Sequence, residues 1–542
     1  MKHVLILGAG LMQKPAIDAA RELGCVVTVL DGNADAFCKS EADRFEVIDL
    51  KDTQAIVDFA VELHREKPLS GVFTAGTDFS YAVACVADAC NLPGHTPQAA
   101  KNASDKLLMR SCFQKHGVPS PQFAEVCAGD DILSFLKTMP LPLVVKPCDN
   151  MGSRGCRLVR SADELQSAVD DALFYSKTGR AIIEQYMDGP EFSIDSLVFN
   201  GELTVTGFAD RHIFYPPYFI EMGHTMPTSA DHDTCVDLLK TFYEGIKSLG
   251  LTYGAAKADI KFTSQGSMIG EIAARLSGGY MSGWTYPYAS GLNLTKQALL
   301  LALGENPPEL IQRRTAISID VSAQQKPACK IYDVACNAFS AERAWLSIPG
   351  KIQSVDFWQK AQSMPYVKAF FRRIHAGDTA VFPVNNVEKA GNVISYAKTR
   401  DEACSGASDA AKTVFLRLES HNGETDAFLC QALDTPFPPS AFALPRHIVE
   451  CIEALPKKQT AIFGKKITVP GFLQDVLHLK DWNGRTLAES FAVYVSLTEN
   501  FENIEKCDNH ICADTGLPNF WHCFIRGGIQ GALYYADTLM KG

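Results

Sequence analysis

The chain has 542 residues, of which 46% are hydrophobic and 21% charged, and its formal net charge is −11. This length predicts two to four domains of ordinary globular composition. The acidic balance, without a Lys/Arg-rich run, excludes nucleic acid and anionic membranes as main partners. The N-terminal apolar run Val4–Leu7 is too short for a signal peptide, and no apolar run is long enough to span a membrane. The 17 scattered cysteines favour reduced thiols, which predicts a cytoplasmic location.

Strand and helix signals alternate through the first hundred residues. Helices are predicted at 15–23 and 53–66, and short apolar strands at 4–7, 26–30, 47–48 and 71–74. Repeated βα units of this kind predict a doubly wound parallel sheet with helices on both faces.

The turn after the first strand contains Gly8 and Gly10, and Asp31 ends the second strand. Such a pattern is typical of dinucleotide-binding folds, in which three glycines let the backbone approach a pyrophosphate. Gln13 stands where the third glycine would be. A turn that is structural or contacts a substrate is therefore favoured over NAD binding.

A helix is predicted from Asp105-Lys106 to His116, and Gly117–Pro121 has the composition of a linker. Beyond this linker, short strands with glycine-containing turns dominate, interrupted by helices at 162–176 and 234–249. This region is predicted to be α+β with antiparallel hairpins. A second linker signal, Pro436-Phe437-Pro438-Pro439, precedes a mainly helical end.

Lys146 lies at the end of a predicted buried strand, 143–147, that is followed by the glycine-containing loop Asn150–Gly155. A buried lysine is costly unless it meets an anion, and a glycine-rich loop lets backbone N–H groups approach phosphate oxygens. These residues predict a phosphate site, with a plain hairpin and a solvated lysine as the alternative.

A second apolar strand, 181–187, runs into a polar turn that contains Glu191. Extended backbone at this point could offer amide and carbonyl groups to an adenine edge, and Glu191 could bind ribose hydroxyls. An ordinary strand with an acidic turn is the alternative interpretation.

The segments 256–262 and 268–275 read as a hairpin. If its turn centres on Gln265, Asp259 lies directly opposite Glu271. Opposed carboxylates repel each other unless a cation joins them, and such oxygen ligands suit Mg²⁺ or Mn²⁺ with nucleotide phosphates. The alternative is a salt-bridged face with Lys257, Lys261 and Arg275. A shift of one residue would destroy the metal interpretation.

Arg275 is followed by Leu276-Ser277-Gly278-Gly279. An arginine beside a metal site, next to a Gly-Gly loop, could clamp a carboxylate or an acyl phosphate.

Taken in order, these motifs resemble the ATP-grasp superfamily, and within it the carboxylate–amine ligases of the L-amino-acid ligase and carbamoyl-phosphate-synthase-like group. The resemblance covers about residues 1–430 and rests on Lys106, Val145-Lys146-Pro147, the Gly152/Gly155 loop, Glu184-Gln185-Tyr186-Met187, Glu191, Asp259 and 271–279. It implies an α/β and α+β multidomain protein that has a Rossmann-like N-terminal domain at 1–117, an ATP-grasp domain at 118–314 and a C-terminal ligase subdomain at 315–431. A mainly helical extension at 432–542 lies outside it.

The resemblance also implies roles for individual residues. Catalysis and binding of the substrate carboxylate are assigned to Arg275, with Lys146 as a second catalytic residue, and binding of Mg²⁺ or Mn²⁺ to Asp259 and Glu271. Further substrate contacts are expected from Arg211, His224, Gly278 and Gly279. ATP would be bound by Lys106, Lys146, Met151, Gly152, Ser153, Gly155, Glu184, Tyr186, Met187 and Glu191.

The implied reaction activates a carboxylate as an acyl phosphate and joins it to an amine. A bicarbonate- or carbamate-phosphorylating enzyme and a nucleotide-binding regulatory protein without turnover are the alternatives. Ala273 stands where many relatives carry an asparagine metal ligand, so that a second metal site would be weakened or water would replace the missing ligand. Small-molecule acids and amines are the expected partners, and a homodimer is the usual assembly at this size.

The C-terminal extension holds Cys507, His510, Cys512, His522 and Cys523. These residue types can bind zinc, but their spacing fits no standard zinc finger. Buried thiols and surface histidines are favoured.

Overall fold

The computed structural model describes residues 1–317, 330–456, 462–499 and 517–540. The chain divides into two compact units. The first unit comprises Met1–Ile213, His224–Ala341 and Tyr396–Arg400, and the second comprises Phe214–Gly223, Glu342–Ser395 and Asp401–Gly542. The division into four domains stays a prediction.

The N-terminal part of the first unit is a four-stranded parallel sheet with strand order β3-β2-β1-β4. Its strands are β1 (His3–Leu7), β2 (Val26–Asp31), β3 (Arg44–Val47) and β4 (Gly71–Phe73). Its helices are α1 (Lys14–Glu22), α2 (Thr53–Glu66), α3 (Ser80–Ala89), α4 (Pro97–Ser104) and α5 (Lys106–His116).

Helices cover both faces of this sheet, because successive side chains of a strand point to opposite sides. Val4 and Ile6 of β1 pack in one hydrophobic cluster with Ile17 of α1. Leu5 and Leu7 pack in another cluster that includes residues of α2 and α3. The doubly wound arrangement predicted from the sequence is therefore confirmed.

Antiparallel sheets follow in the same unit. One has strand order β5-β8-β6-β7 and packs against α6 (Ala162–Tyr175) through a core that contains Val145, Leu165 and Ile183. Its strands are β5 (Phe123–Cys127), β6 (Leu143–Pro147), β7 (Arg157–Val159) and β8 (Arg180–Gln185).

A second antiparallel sheet has its strands in the order β13-β12-β9-β10 within the first unit. Helix α7 (His232–Leu249) covers one face, where Ile194, Phe242 and Ile260 share a core. Its strands are β9 (Glu191–Phe199), β10 (Glu202–Phe214), β11 (Ile220–Met226, with residues in both units), β12 (Gly254–Thr263) and β13 (Gly266–Ala273). The elements that follow are α8 (Tyr286–Ser290), α9 (Leu294–Ala302), α10 (Pro308–Arg313), β14 (Arg314–Ala316) and β15 (Ile331–Val334).

The hairpin of β12 and β13 contains a β-bulge that sets its register. Thr263 pairs with Gly266 across a two-residue turn, so a regular ladder would place Gly270 opposite Asp259. The register instead shifts after Ile260, and Asp259 pairs with Glu271. The predicted pairing is confirmed, but the assumed turn centred on Gln265 is wrong. Without the bulge, Glu271 would point towards the core.

The second unit contains short sheets and most of the C-terminal helices. Its strands are β16 (Phe339–Trp345, with residues in both units), β17 (Gly350–Asp356), β18 (Val367–Arg372), β19 (Thr379–Ala380), β20 (Gly391–Ala397, likewise shared) and β21 (Phe415–Leu418). Its helices are α11 (Trp358–Gln362), α12 (Arg400–Thr413, shared at Arg400), α13 (Gly423–Leu429), α14 (Arg446–Glu453), α15 (Leu487–Leu497) and α16 (Leu517–Met540). Across the described ranges, none of the helices is long and apolar enough to cross a membrane.

Gly391 lets the indole of Trp345 lie directly on strand β20. A Cβ at position 391 would lie 2.0 Å from a ring carbon of Trp345, which also stacks on Phe370 with a centroid distance of 5.0 Å. We expect Gly391→Ala to destabilise the protein by about 1–3 kcal/mol, because overpacking forces the ring or the strand to move.

Thermal and denaturant unfolding would measure this loss. Gly423→Ala is the matched control, because nothing lies within 4 Å of a Cβ built at that position. Equal unfolding midpoints for the two variants would contradict the packing argument.

Candidate active site

A buried ion-pair cluster lies where helix α5 meets strands β6 and β8. Glu184 accepts hydrogen bonds from Lys146 Nζ at 2.7 Å and from Arg110 Nε at 2.8 Å. Burial alone would raise the pKa of Glu184, but Arg110 and Lys146 hold it below its usual value. The carboxylate is therefore charged, and it fixes Lys146 at the end of β6. An adenine contact for Glu184 stays a prediction.

Arg110 was not singled out from the sequence, although it is fully buried. Besides its bond to Glu184, its Nη2 donates to the carbonyl of Gly270, the bulge residue, at 2.7 Å. Arg110 thus ties α5 and β8 to the bulge that orients Glu271. Its position one helical turn after Lys106 was the available signal, because residues four apart share a helix face.

Lys106 begins helix α5 and points towards the predicted phosphate loop. Its Nζ donates to the carbonyl of Asn150 at 2.8 Å and lies 3.8 Å from a carboxylate oxygen of Glu271. Burial would lower the pKa of Lys106, but Glu271 and Asp78 raise it above its usual value. A charged lysine therefore stands between the loop and the carboxylate pair.

The loop itself, residues 150–155, is a curled segment, with positive φ at Gly152 (68°), Ser153 (61°) and Gly155 (66°). Asn150 fixes its start, because its side-chain amide donates to Tyr175 O at 2.7 Å and its Oδ1 accepts from Met151 N. A backbone that alternates between right- and left-handed conformations directs its N–H groups into concavities that bind anions.

Four neighbouring strands of the second antiparallel sheet present charged side chains on one face. Asp259 is opposite Glu271, and two residues along the same strands Lys257 is opposite Ala273. Burial would raise the pKa of Glu271, but nearby cations, above all Lys106 and Lys257, lower it to about 2. Asp259 contacts the ammonium of Lys257 and lies 2.9 Å from Arg211 Nη1.

Glu191 and its neighbours form the next row on this face. Glu191 pairs with Arg211, and Lys261 Nζ lies 3.8 Å from its other carboxylate oxygen. Lys261 Nζ also donates to Met187 O at 3.1 Å and lies 5.2 Å from the centre of the Tyr186 ring. Lys261 therefore joins the predicted ribose and adenine residues in one cluster.

Arg275 precedes a loop that a buried carboxylate holds in place. Ser277 donates from its amide and its hydroxyl to Asp195, at 3.0 and 2.6 Å. Burial raises the pKa of Asp195 to about 7, against the opposing effects of Ser277, Lys257 and Arg275. Asp195 was missed because its partner, Ser277, is far away in the sequence.

The loop after β4 brings a further carboxylate to Arg275. Asp78 Oδ1 lies 4.0 Å from Arg275 Nε. A Cβ on Gly278 would lie 2.8 Å from the carbonyl oxygen of Gly76, so the two loops pack closely. Gln13 holds the first of these loops, since its side chain accepts from Ala75 N at 2.8 Å.

Gln13 also decides between the two interpretations of the first turn. Its side chain lies over Gly8, where an added Cβ would approach it to 3.0 Å. Asp31 accepts a hydrogen bond from the amide of Ala9 at 2.7 Å, so this carboxylate is engaged within the turn. Both contacts agree with the structural interpretation.

His224 and the cysteines and histidines of the C-terminal extension are the remaining predicted residues. His224 is fully buried on β11, and its substrate role stays a prediction. Cys507, His510 and Cys512 lie outside the described residues. His522 Nε2 lies 3.0 Å from Gln431 O and Cys523 is buried. No group of three metal-binding side chains was found in the part of the chain that the structure covers.

The chemistry of this face fits a nucleoside triphosphate with a divalent cation. Carboxylate oxygens of Asp259 and Glu271 are ligands that Mg²⁺ and Mn²⁺ accept. Lys106 contacts the first residue of a loop suited to phosphate, and Glu184 holds the ammonium of Lys146 at the end of β6. Arg275 Nε is buried and has no hydrogen-bond partner among the described residues, so a donor is directed at this region.

Three protein families match successive segments of the chain. Residues 17–94 match the ATP-grasp N-terminal domain, and residues 139–283 match the ATP-grasp domain. Residues 344–419 match the L-amino acid ligase C-terminal domain 2.

Individual relatives agree with these matches. The chain is 23% identical to protein y4rH of Sinorhizobium fredii over 397 residues, which cover 71% of this chain and 77% of that protein. It is 25% identical to human carnosine synthase 1 over 332 residues, 56% of this chain but only 40% of that protein. The L-amino acid ligase from Bacillus licheniformis has the same fold, with a TM-score of 0.65 and 21% identity over 78% of this chain and 99% of that one.

The chain therefore contains an ATP-grasp N-terminal domain and an ATP-grasp domain, and it shares its fold with an L-amino acid ligase. The proteins that it resembles include carboxylate–amine ligases such as carnosine synthase 1 and L-amino acid ligase.

Removing Arg110 is expected to destabilise the first unit strongly. Arg110→Met leaves Glu184 buried with one fewer cation, which costs about 3–5 kcal/mol when a buried pair is broken. Denaturant unfolding measures the loss, with the exposed Arg21→Met as the control. The double variant Arg110→Met/Glu184→Met should lose less than the two single variants added together. Additive losses would show that the two charges are not coupled.

Asp195 is expected to make stability depend on pH. Its folded-state pKa of about 7 lies above its ordinary value of 3.8. The folded protein therefore binds more protons between these values, and stability falls as the pH rises from 4 towards 7. Asp195→Asn keeps an acceptor for Ser277 and should flatten this part of the profile of unfolding midpoint against pH. An unchanged slope would contradict the assignment.

Proposed function

We propose that the protein is an ATP- and Mg²⁺-dependent ligase that activates a carboxylate as an acyl phosphate and couples it to an amine. The observation that carries this proposal is the pairing of Asp259 with Glu271 on one sheet face, with Lys106 3.8 Å from Glu271. Carboxylates, lysines and a curled phosphate loop meet there, as transfer of a phosphoryl group requires.

We assign each residue of the site a contact with the nucleotide or with the substrate. Lys106, Lys146 and the 150–155 loop hold the phosphates. Backbone groups of Tyr186 and Met187 meet adenine, and Glu191 binds ribose. Because Glu191 is paired with Arg211, nucleotide binding requires this ion pair to rearrange. Once this pair has rearranged, Arg211 would contact the substrate, which is the role that the resemblance implies for it.

The chemistry follows from charge. An oxygen of the substrate carboxylate attacks the γ-phosphorus of ATP, ADP leaves, and an acyl phosphate forms. The amine then attacks the acyl carbon, and phosphate leaves as the new C–N bond forms. Arg275, whose buried Nε has no hydrogen-bond partner among the described residues, stabilises the negative charge on the carboxylate and acyl phosphate. Bound Mg²⁺, held by Asp259 and Glu271, would neutralise phosphate charge.

Water must be kept from the acyl phosphate, which it would hydrolyse. The 150–155 loop is suited to closing over the nucleotide, because Asn150 anchors one end to Tyr175 O and Lys106 contacts that same residue. Closure would also bring backbone N–H groups onto the phosphates.

Amino acids are the proposed class of both substrates. The support is the match of residues 344–419 to the L-amino acid ligase C-terminal domain 2, together with the similarity to carnosine synthase and D-alanine–D-alanine ligase. A cytoplasmic location and a homodimer stay predictions.

Phosphate release on mixing with MgATP and an amino-acid panel tests the proposal. Release that requires both an acid and an amine, with a condensed product seen by mass spectrometry, would support it. Release that depends on bicarbonate alone would favour carboxyl phosphorylation. Tight ATP binding without release under any condition would indicate a regulatory protein.

Glu271→Gln is expected to lower phosphate release by roughly 10²–10³-fold, because a charged ligand at the phosphates is lost. The exposed Glu66→Gln is the matched control and should keep wild-type turnover. The unfolding midpoint of Glu66→Gln should stay close to wild type, and Glu271→Gln should still unfold cooperatively from a folded state. Wild-type turnover in Glu271→Gln would refute the metal assignment.

A further inference from the structure

The row beside the carboxylate pair holds a lysine and an alanine. Lys257 is directly opposite Ala273, two residues along the strands from Asp259 and Glu271. Alternation along a strand puts all four side chains on the same face. Lys257 is only 8% exposed, so its ammonium is held within this face.

Two divalent cations side by side need more oxygen ligands than one carboxylate pair supplies, since Mg²⁺ requires near-octahedral coordination. The methyl group of Ala273 supplies none. The next carboxylate on this face belongs to Asp195, the cross-strand partner of Lys257 on β9. Asp195 is fully buried and already accepts two hydrogen bonds from Ser277.

The ammonium of Lys257 lies among these carboxylates. Its Nζ donates to Asp259, Asp195 is its neighbour on one side, and Glu271 is a diagonal neighbour on the other. Diagonal neighbours on a sheet lie within reach of a long side chain. A fixed positive charge at this place attracts phosphate oxygens and repels a further divalent cation.

The two carboxylates differ in how open they are to a metal ion. Both oxygens of Asp259 have cationic neighbours, Lys257 on one side and Arg211 at 2.9 Å on the other. The Glu271 side chain is 34% exposed, and the ammonium of Lys106 lies 3.8 Å from one of its oxygens. Glu271 is therefore the main ligand for the metal ion, with Asp259 as its partner.

We infer that Lys257 takes the place of a second divalent cation, so that the protein binds its nucleotide with a single metal ion. The inference rests on the proposed function, because it concerns the same nucleotide site. Lys257 supplies a constant charge where a second metal would bind and dissociate. Binding of the nucleotide should then not depend on free Mg²⁺ beyond the amount that forms MgATP.

Counting bound metal tests the inference without measuring turnover. The full chain is saturated with a non-hydrolysable ATP analogue and titrated with Mn²⁺, and free Mn²⁺ is followed by electron paramagnetic resonance. We expect one Mn²⁺ per bound analogue in the wild type. The double variant Lys257→Ala/Ala273→Asn removes the charge and adds an oxygen ligand, so its count should rise to two.

Lys257→Arg/Ala273→Asn is the matched control, because it adds the same ligand but keeps a cation, and its count should stay at one. A wild-type count of two would overturn the inference, as would a count of one in the variant with alanine at 257. If the double variant does not fold, the wild-type count decides. Failure of the wild type to bind the analogue would refute the proposed nucleotide site itself, whereas two bound ions would leave that site standing.

Discussion

The buried guanidinium of Arg110 is the interaction on which the site depends. It neutralises Glu184, and Glu184 in turn holds Lys146. The same side chain donates to the carbonyl of Gly270 and so stabilises the bulge that brings Glu271 opposite Asp259. One side chain thus links the lysine predicted to hold phosphate to the carboxylates predicted to hold metal. Arginine suits this task because its planar fork can donate in several directions and stays charged when buried.

Local patterns in the sequence were sufficient to predict several helices and strands of the first unit, although α3 and α4 were not among them. Helix α2 occupies the predicted residues 53–66, and α5 begins directly after Asp105, which caps it. These predictions succeeded because hydrophobic periodicity and capping are properties of neighbouring residues. The pairing of Asp259 with Glu271 was also predicted correctly, but from a turn that the structure does not contain. The β-bulge at Gly270 restores the pairing of Asp259 with Glu271, which the two-residue turn alone would shift by one residue. No periodicity rule could have predicted the position of this bulge.

The residues that sequence reasoning missed act over long distances along the chain. Asp195, Asp78 and Gln13 are ordinary polar residues in their own segments, and each becomes informative only through a partner far away in sequence. Asp195 bonds to Ser277, and Asp78 faces Arg275. Propensity and spacing describe local structure, so they cannot reveal such pairs. The position of Lys257 directly opposite Ala273 likewise could be recognised only once the strand register was known.

The contact between Gln13 and the loop after β4 connects the N-terminal parallel sheet to the candidate active site. Gln13 fixes Ala75, Gly76 next to it packs on Gly278, and Asp78 reaches Arg275. Gln13 thereby helps to set the orientation of Arg275, although the two residues are far apart in the sequence. The parallel sheet therefore contributes, through its first turn, to the geometry of the residues proposed to bind the acyl group.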